Sequence, residues 1–98
     1  MSAVTRCLAT AQQRGEVACL VNMRGTFRAE EAAAAAVNVA DLMISQPPDA
    51  GYARKIVIAL LNSGAIDLIV VEGAPEGFDD DEIWLEASRT KTDLRLIP

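Results

Sequence analysis

The sequence predicts an α/β domain, a mostly parallel sheet of about four strands flanked by helices. Continuous apolar runs, VACLVN (Val17 to Asn22) and DLIVVE (Asp67 to Glu72), have the pattern of strands buried on both faces, and DLMIS (Asp41 to Ser45) is a shorter run of the same kind. Segments rich in helix formers separate them. Strands that alternate with helices require crossover connections, and crossovers make neighbouring strands parallel.

Taken in order, Ala3 to Arg14 is composed mostly of good helix formers and Gly15 is its stop. The first strand is Val17 to Asn22. Thr26 can cap the next helix, which runs through Glu30, Glu31 and the alanines Ala32 to Ala36. That alanine run predicts a helix face that packs closely. Asp41 to Ser45 is the second strand, ended by Pro47 and Pro48. A helix from Gly51 to Ser63 stops at Gly64, and Asp67 to Glu72 is the third strand. Asp79 and Glu82 stand in a D-x-x-E capping-box relation ahead of Ile83, Trp84 and Leu85, which predicts a short helix. DLRLI, Asp93 to Ile97, alternates and predicts a fourth strand at an edge. There is no internal repeat.

With 98 residues and no break in composition, residues 1–98 are expected to form one domain with one core. A hydrophobic content of 51% is rich for that size, so a partner or a second copy is expected to cover part of the apolar surface. Net charge is -5, and phosphate-backbone binding draws on lysine and arginine, so nucleic acid is not expected as the main ligand. No local basic run exceeds Arg54-Lys55. Cys7 and Cys19 lack metal-ligand spacing and fit free thiols in a reducing cytoplasm. The absence of histidine removes Ser-His and Cys-His mechanisms and the commonest zinc sites. IVIALL and AIDLIVV are too short to span a bilayer, and the N-terminus has no signal-peptide pattern. A soluble cytoplasmic protein is expected, with no membrane partner.

ATAQQRGEVACLVNMRG, VNVADLMISQPPDAG and ALLNSGAIDLIVV together resemble the RecA family of bacterial strand-exchange recombinases, over roughly Val4 to Val71. The most specific parts are SQP at Ser45 to Pro47 and SGAIDLIVV at Ser63 to Val71. The resemblance implies a RecA-like three-layer sandwich fragment, truncated so that the chain begins after the family's nucleotide loop. RecA proteins hydrolyse ATP and need a glycine-rich loop whose bare amides wrap the phosphates. No G-x-x-x-x-G-K-[ST] occurs in this sequence. The family's water-activating carboxylate aligns with Arg24, whose guanidinium stays protonated and cannot serve as a base. Its adenine-stacking aromatic aligns with Glu31, and the acid shortly before it with Arg28. Glu72 replaces the family's aspartate at the strand tip, and it is read as a helix cap or ion-pair residue, since one carboxylate alone binds magnesium weakly. The family's DNA-contacting loops lie beyond the resemblance, and EGAPEGFDDDEIW is acidic where a strand-binding loop is basic.

These readings predict no catalytic residue, no metal site and no cofactor. DDDE, Asp79 to Glu82, lacks the calcium-loop spacing and reads as a solvated helix start. Phe27, Tyr52, Phe78 and Trp84 are too dispersed for a base-stacking platform and read as core or interface residues. Asp41, Leu42, Met43, Ile44 and Ser45 are expected to form an exposed sheet edge that receives a partner. The expected function is that of a non-catalytic RecA-like protein acting by contact in DNA repair, recombination or the damage response. Its partner is itself, as a homodimer, or another RecA-like or DNA-repair protein. Two alternatives stand beside it: a SulA-type cell-division inhibitor, and a small anion or nucleotide sensor using Arg24, Gly25 and Arg28 at a strand-to-helix turn.

Overall fold

In the computed structural model, which describes residues 2–25 and 27–98, the chain runs as four strands and four α-helices. The order is α1 (Ala3–Gln13), β1 (Ala18–Asn22), α2 (Ala29–Ala34), a 3₁₀ turn (Val39–Asp41), β2 (Met43–Ser45), α3 (Ala50–Ser63), β3 (Leu68–Glu72), α4 (Asp81–Thr90) and β4 (Asp93–Ile97). The strands form one sheet in the order β2-β1-β3-β4, with every neighbouring pair parallel. The fold class is therefore the expected one, and β2 and β4 are the two edges.

Both faces of the sheet are covered, because the inner strands carry apolar side chains on both sides. Cys19, Val21, Ile69 and Val71 point to one face and pack under Val57 and Leu61 of α3 and Ile83 and Ala87 of α4. Ala18, Leu20, Leu68 and Val70 point to the other, under Val4 and Leu8 of α1 and Ala32 of α2. Phe78 is buried in the first of these layers and pins the loop after β3 to it. Cys19 is fully buried, and that burial pushes its thiol up to about 11, so it behaves as a small apolar residue. No helix among the described residues is long and apolar enough to cross a membrane.

Several element boundaries differ from the sequence expectation for identifiable reasons. Thr26 lies outside the described residues, and α2 begins later, at Ala29, with Arg28 in the cap position and no side-chain cap bond. The helix also ends earlier, at Ala34, with Ala36 in the left-handed region at φ 69°. Asp41 is in the 3₁₀ turn instead of a strand: its N–H reaches the Asn38 carbonyl at 3.2 Å and its carboxylate accepts from Asn38 Nδ2 at 2.9 Å. Gln12 of α1 brackets the same turn, donating to the Asn38 carbonyl at 2.9 Å and accepting from the Asn38 N–H at 2.7 Å. Asp67 stands just before β3, where its carboxylate accepts from the Val17 N–H at 2.7 Å.

Helix α3 starts on Asp49, which accepts from the Tyr52 N–H at 2.7 Å, and ends at Gly64 with φ 67° as expected. The cap of α4 is Asp80, one residue after the expected Asp79, accepting from the Ile83 N–H at 3.2 Å. Asp79 instead faces the Trp84 indole N–H at 3.4 Å. Arg54 of α3 ties the two helix starts together, 2.7 Å from Asp80 and 3.3 Å from Glu82. The Ile83 N–H, followed by the Arg54 guanidinium, holds the Asp80 carboxyl below the ordinary carboxylate range.

Leu61 is fully buried between α3 and the sheet, so Leu61→Ala is expected to lose about 2–5 kcal/mol in urea denaturation. Leu85→Ala, at a position 73% exposed, changes stability by less than about 0.5 kcal/mol. A carboxylate with a lowered folded-state pKa contributes stability above its unfolded pKa, and that stability disappears as pH falls through the folded value. Asp80→Asn keeps the cap and loses the charge, so it should be less stable than the parent at neutral pH. The gap between the two urea midpoints should begin to narrow as the pH drops below about 4 and close only below the lowered folded-state value.

Candidate functional site

The chain leaves β1 toward β2 on one side and returns from β2, across β1, to β3 on the other. The loops after β1 and β3 therefore depart to opposite faces, and the carboxyl ends of these neighbouring strands flank the crevice where open α/β sheets place ligands. Asn22 and Glu72 are register partners at that end, so their side chains lie on the same face of the sheet.

Asn22 is 1% exposed, and its side-chain oxygen accepts from the Gly25 N–H at 3.0 Å, closing a turn after β1. Gly25 has φ 69°, a region that glycine enters without steric penalty. The Asn22 Nδ2 group is buried with no partner among the described residues. Arg24, next in the turn, lays its stem over Gly73 at the end of β3. A Cβ on Gly73 would stand 2.6 Å from Arg24 Cγ and displace that exposed side chain, and φ 84° is a backbone region that favours glycine.

A cavity of about 140 Å³ opens beside this turn, on the α1 and α2 side. Ser2 and Thr5 at the start of α1, Arg28 and Glu31, and Glu72 line it. Two carboxylates against one guanidinium make this a poor cradle for an anion. Arg24 does not line it, so Arg24, Gly25 and Arg28 share one turn without converging on one cavity. Glu72 is half-buried at the strand tip, caps no helix, and has no ion-pair partner among the described residues, which corrects the reading of it as a cap or salt-bridge residue. No group of three or more metal-ligand side chains occurs among the described residues.

At the β2 edge the five expected residues divide. Asp41 lies in the 3₁₀ turn, Leu42 is 8% exposed beneath α1 and α2, and Met43, Ile44 and Ser45 form the strand. Met43 pairs with Cys19 and so faces the α3 side, while Ile44 pairs with Leu20 and faces the opposite one. Both are substantially exposed, at 46% and 38%. On the α3 side of the sheet, α3 itself carries exposed Tyr52 and half-buried Ile56 and Leu60. Asn22 went unrecognised in the sequence as more than the last residue of a strand. The signal was present as Asn-x-x-Gly after an apolar run, the pattern of a side-chain-closed turn.

Comparison with known proteins follows the same lines. Residues 2–94 match the family described as RecA N-terminal domain, well past the Val71 limit read from the motifs. RecA of Cytophaga hutchinsonii is 32% identical over 89 residues, 91% of this chain and 25% of that protein. RecA of Aquifex aeolicus is 37% identical over 76 residues, 78% of this chain and 22% of that protein. RecA of Clostridioides difficile is 39% identical over 66 residues, 67% of this chain and 19% of that protein. The chain thus spans a quarter or less of the length of these curated relatives. A crystal structure of SulA from Pseudomonas aeruginosa superposes with a TM-score of 0.76 at 15% identity, covering 96% of this chain and 82% of that one, a likeness of fold.

Asn22→Asp keeps the acceptor for Gly25 but buries a second carboxylate beside Glu72. The substitution is expected to lower stability by about 1–3 kcal/mol in urea denaturation, with part of the loss recovered in the Asn22→Asp, Glu72→Gln double variant.

Proposed function

The chain belongs to the RecA N-terminal domain family, and we propose that it is a non-catalytic member that acts through protein-protein contact at its β2 edge. The observation that carries this reading is an edge strand with Met43 and Ile44 left in water. An edge strand offers one row of unpaired N–H and C=O groups, a template onto which another strand can add. Soluble proteins usually blunt such an edge with charge, yet Met43, Ile44 and Ser45 carry none. Exposed Met43 and Ile44 give an incoming strand apolar surface as well as hydrogen bonds.

The lack of catalysis is supported by chemistry in the same crevice. The 98 residues contain no phosphate-wrapping glycine loop, and the turn after β1 presents Arg24, which cannot accept a proton, packed over Gly73. The partner is a second copy of this chain or another RecA-like or DNA-repair protein. A SulA-type role in cell division shares the fold, but no residue of this chain argues for it. The sensor reading is weakened by the two carboxylates that stand beside Arg28.

Light scattering on the chromatographed chain tests the proposal. The parent chain should run as a dimer, or form a complex when mixed with RecA, and Ile44→Lys should abolish the association while leaving the melting temperature of the fold nearly unchanged. A parent chain that is monomeric alone and with RecA, or that hydrolyses ATP, would overturn it.

A further inference from the structure

The opposite edge of the sheet carries a different surface. Helix α1 packs over β1 and β3, leaving the β4 flank of that face partly open, with Asp93 and Arg95 exposed on it. A groove of about 200 Å³ runs between α1 and β4. Arg6, Thr10 and Arg14 line one wall, and Leu68, Asp93 and Arg95 line the floor and the far wall. Three of the nine basic residues of an acidic chain therefore meet in one place, although positions 6, 14 and 95 lie far apart in sequence.

Arg95 spends part of its fork on Asp93, with Nε 3.0 Å from Oδ1 and an Nη 3.2 Å from Oδ2. Its remaining N–H groups stay available. Arg6 and Arg14 have no ion-pair partner among the described residues, and Glu16 is the one other carboxylate lining the groove. Positions 6 and 10 lie one turn apart on α1 and Arg14 is its C-cap, so the backbone positions of the two free arginines are about 12 Å apart along the helix axis. That separation is too long for one small anion and close to the roughly 13 Å between residues i and i+4 of an extended strand.

From this juxtaposition we propose that the α1–β4 groove binds an extended acidic polypeptide segment, added alongside β4 with carboxylates at alternate positions directed at Arg6, Arg14 and Arg95. The free edge of β4 favours a polypeptide over nucleic acid, because its unpaired N–H and C=O groups match a peptide backbone and not a sugar-phosphate one. This groove lies on the sheet edge opposite β2 and does not rest on the contact proposed there.

The test is fluorescence anisotropy on the full chain with a labelled peptide of about eight residues that alternates glutamate and valine. Saturable binding is expected, weakened about tenfold in the Arg6→Gln, Arg14→Gln double variant and weakened again by added salt. Both substituted positions are exposed, so circular dichroism should report an unchanged fold, and Arg14→Gln alone should give a smaller loss. Lys55→Gln, which removes an exposed positive charge on the opposite face of the sheet, should leave the affinity unchanged. Absence of binding at millimolar peptide, equal binding by the double variant, equal binding of a lysine-valine peptide, or tighter binding of an oligothymidine of equal charge would each overturn the proposal.

Discussion

Parallel pairing of β1 with β3, buried on both faces, is the constraint on which the rest of the molecule depends. Ala18–Asn22 and Leu68–Glu72 lie side by side in full register, and all but Glu72 are buried. A parallel pair cannot be closed by a tight turn, so each connection has to travel back over the sheet. Two faces of apolar side chains then require helices on both, which is why α1 and α2 occupy one layer and α3 and α4 the other. Asp67 secures the start of this pair from its side chain and its backbone: its N–H donates to the Val17 carbonyl at 2.9 Å, and its own carbonyl accepts from Asp93 at 2.9 Å.

The same constraint directs chemistry away from the centre and toward the margins. At the carboxyl end of the β1–β3 pair, the chain fills the crevice with its own groups: Asn22 closes the turn on Gly25, and Arg24 lies across Gly73. What is left unpaired belongs to the two edges. The β2 edge is apolar and uncharged, and the β4 edge is flanked by guanidiniums. One sheet thus offers two margins of contrasting chemistry, a consequence of ending an all-parallel sheet with two uncovered strands.

Much of this was legible in the sequence because it is governed by local rules. The apolar runs of β1 and β3, the stop at Gly64 and the alternation of DLRLI needed no knowledge of distant residues, and they were placed within a residue or so. Where the reading missed, a contact between segments had prevailed over a local preference. Asp41 was read as strand, but Asn38 holds it in a turn and Gln12 clamps that turn from another helix. Asp79 satisfied the capping-box spacing as well as Asp80 satisfied a simple cap, and Arg54 of α3 stands beside Asp80. Glu72 looked like a capping or pairing residue, yet it ends a strand whose neighbour supplies no cation.

The sequence by itself determined the fold class, the family resemblance and the absence of a phosphate loop within these residues. Each of these is written in short stretches where periodicity or residue identity is sufficient. Only the tertiary structure decided which side chains meet. It brought Arg6 of a helix and Arg14 at that helix's end to Arg95 of the last strand, and it left Met43 and Ile44 uncovered while burying Leu42 beside them. The reason is physical: burial and charge clustering depend on how layers stack across the sheet, and sequence separation carries no record of that distance.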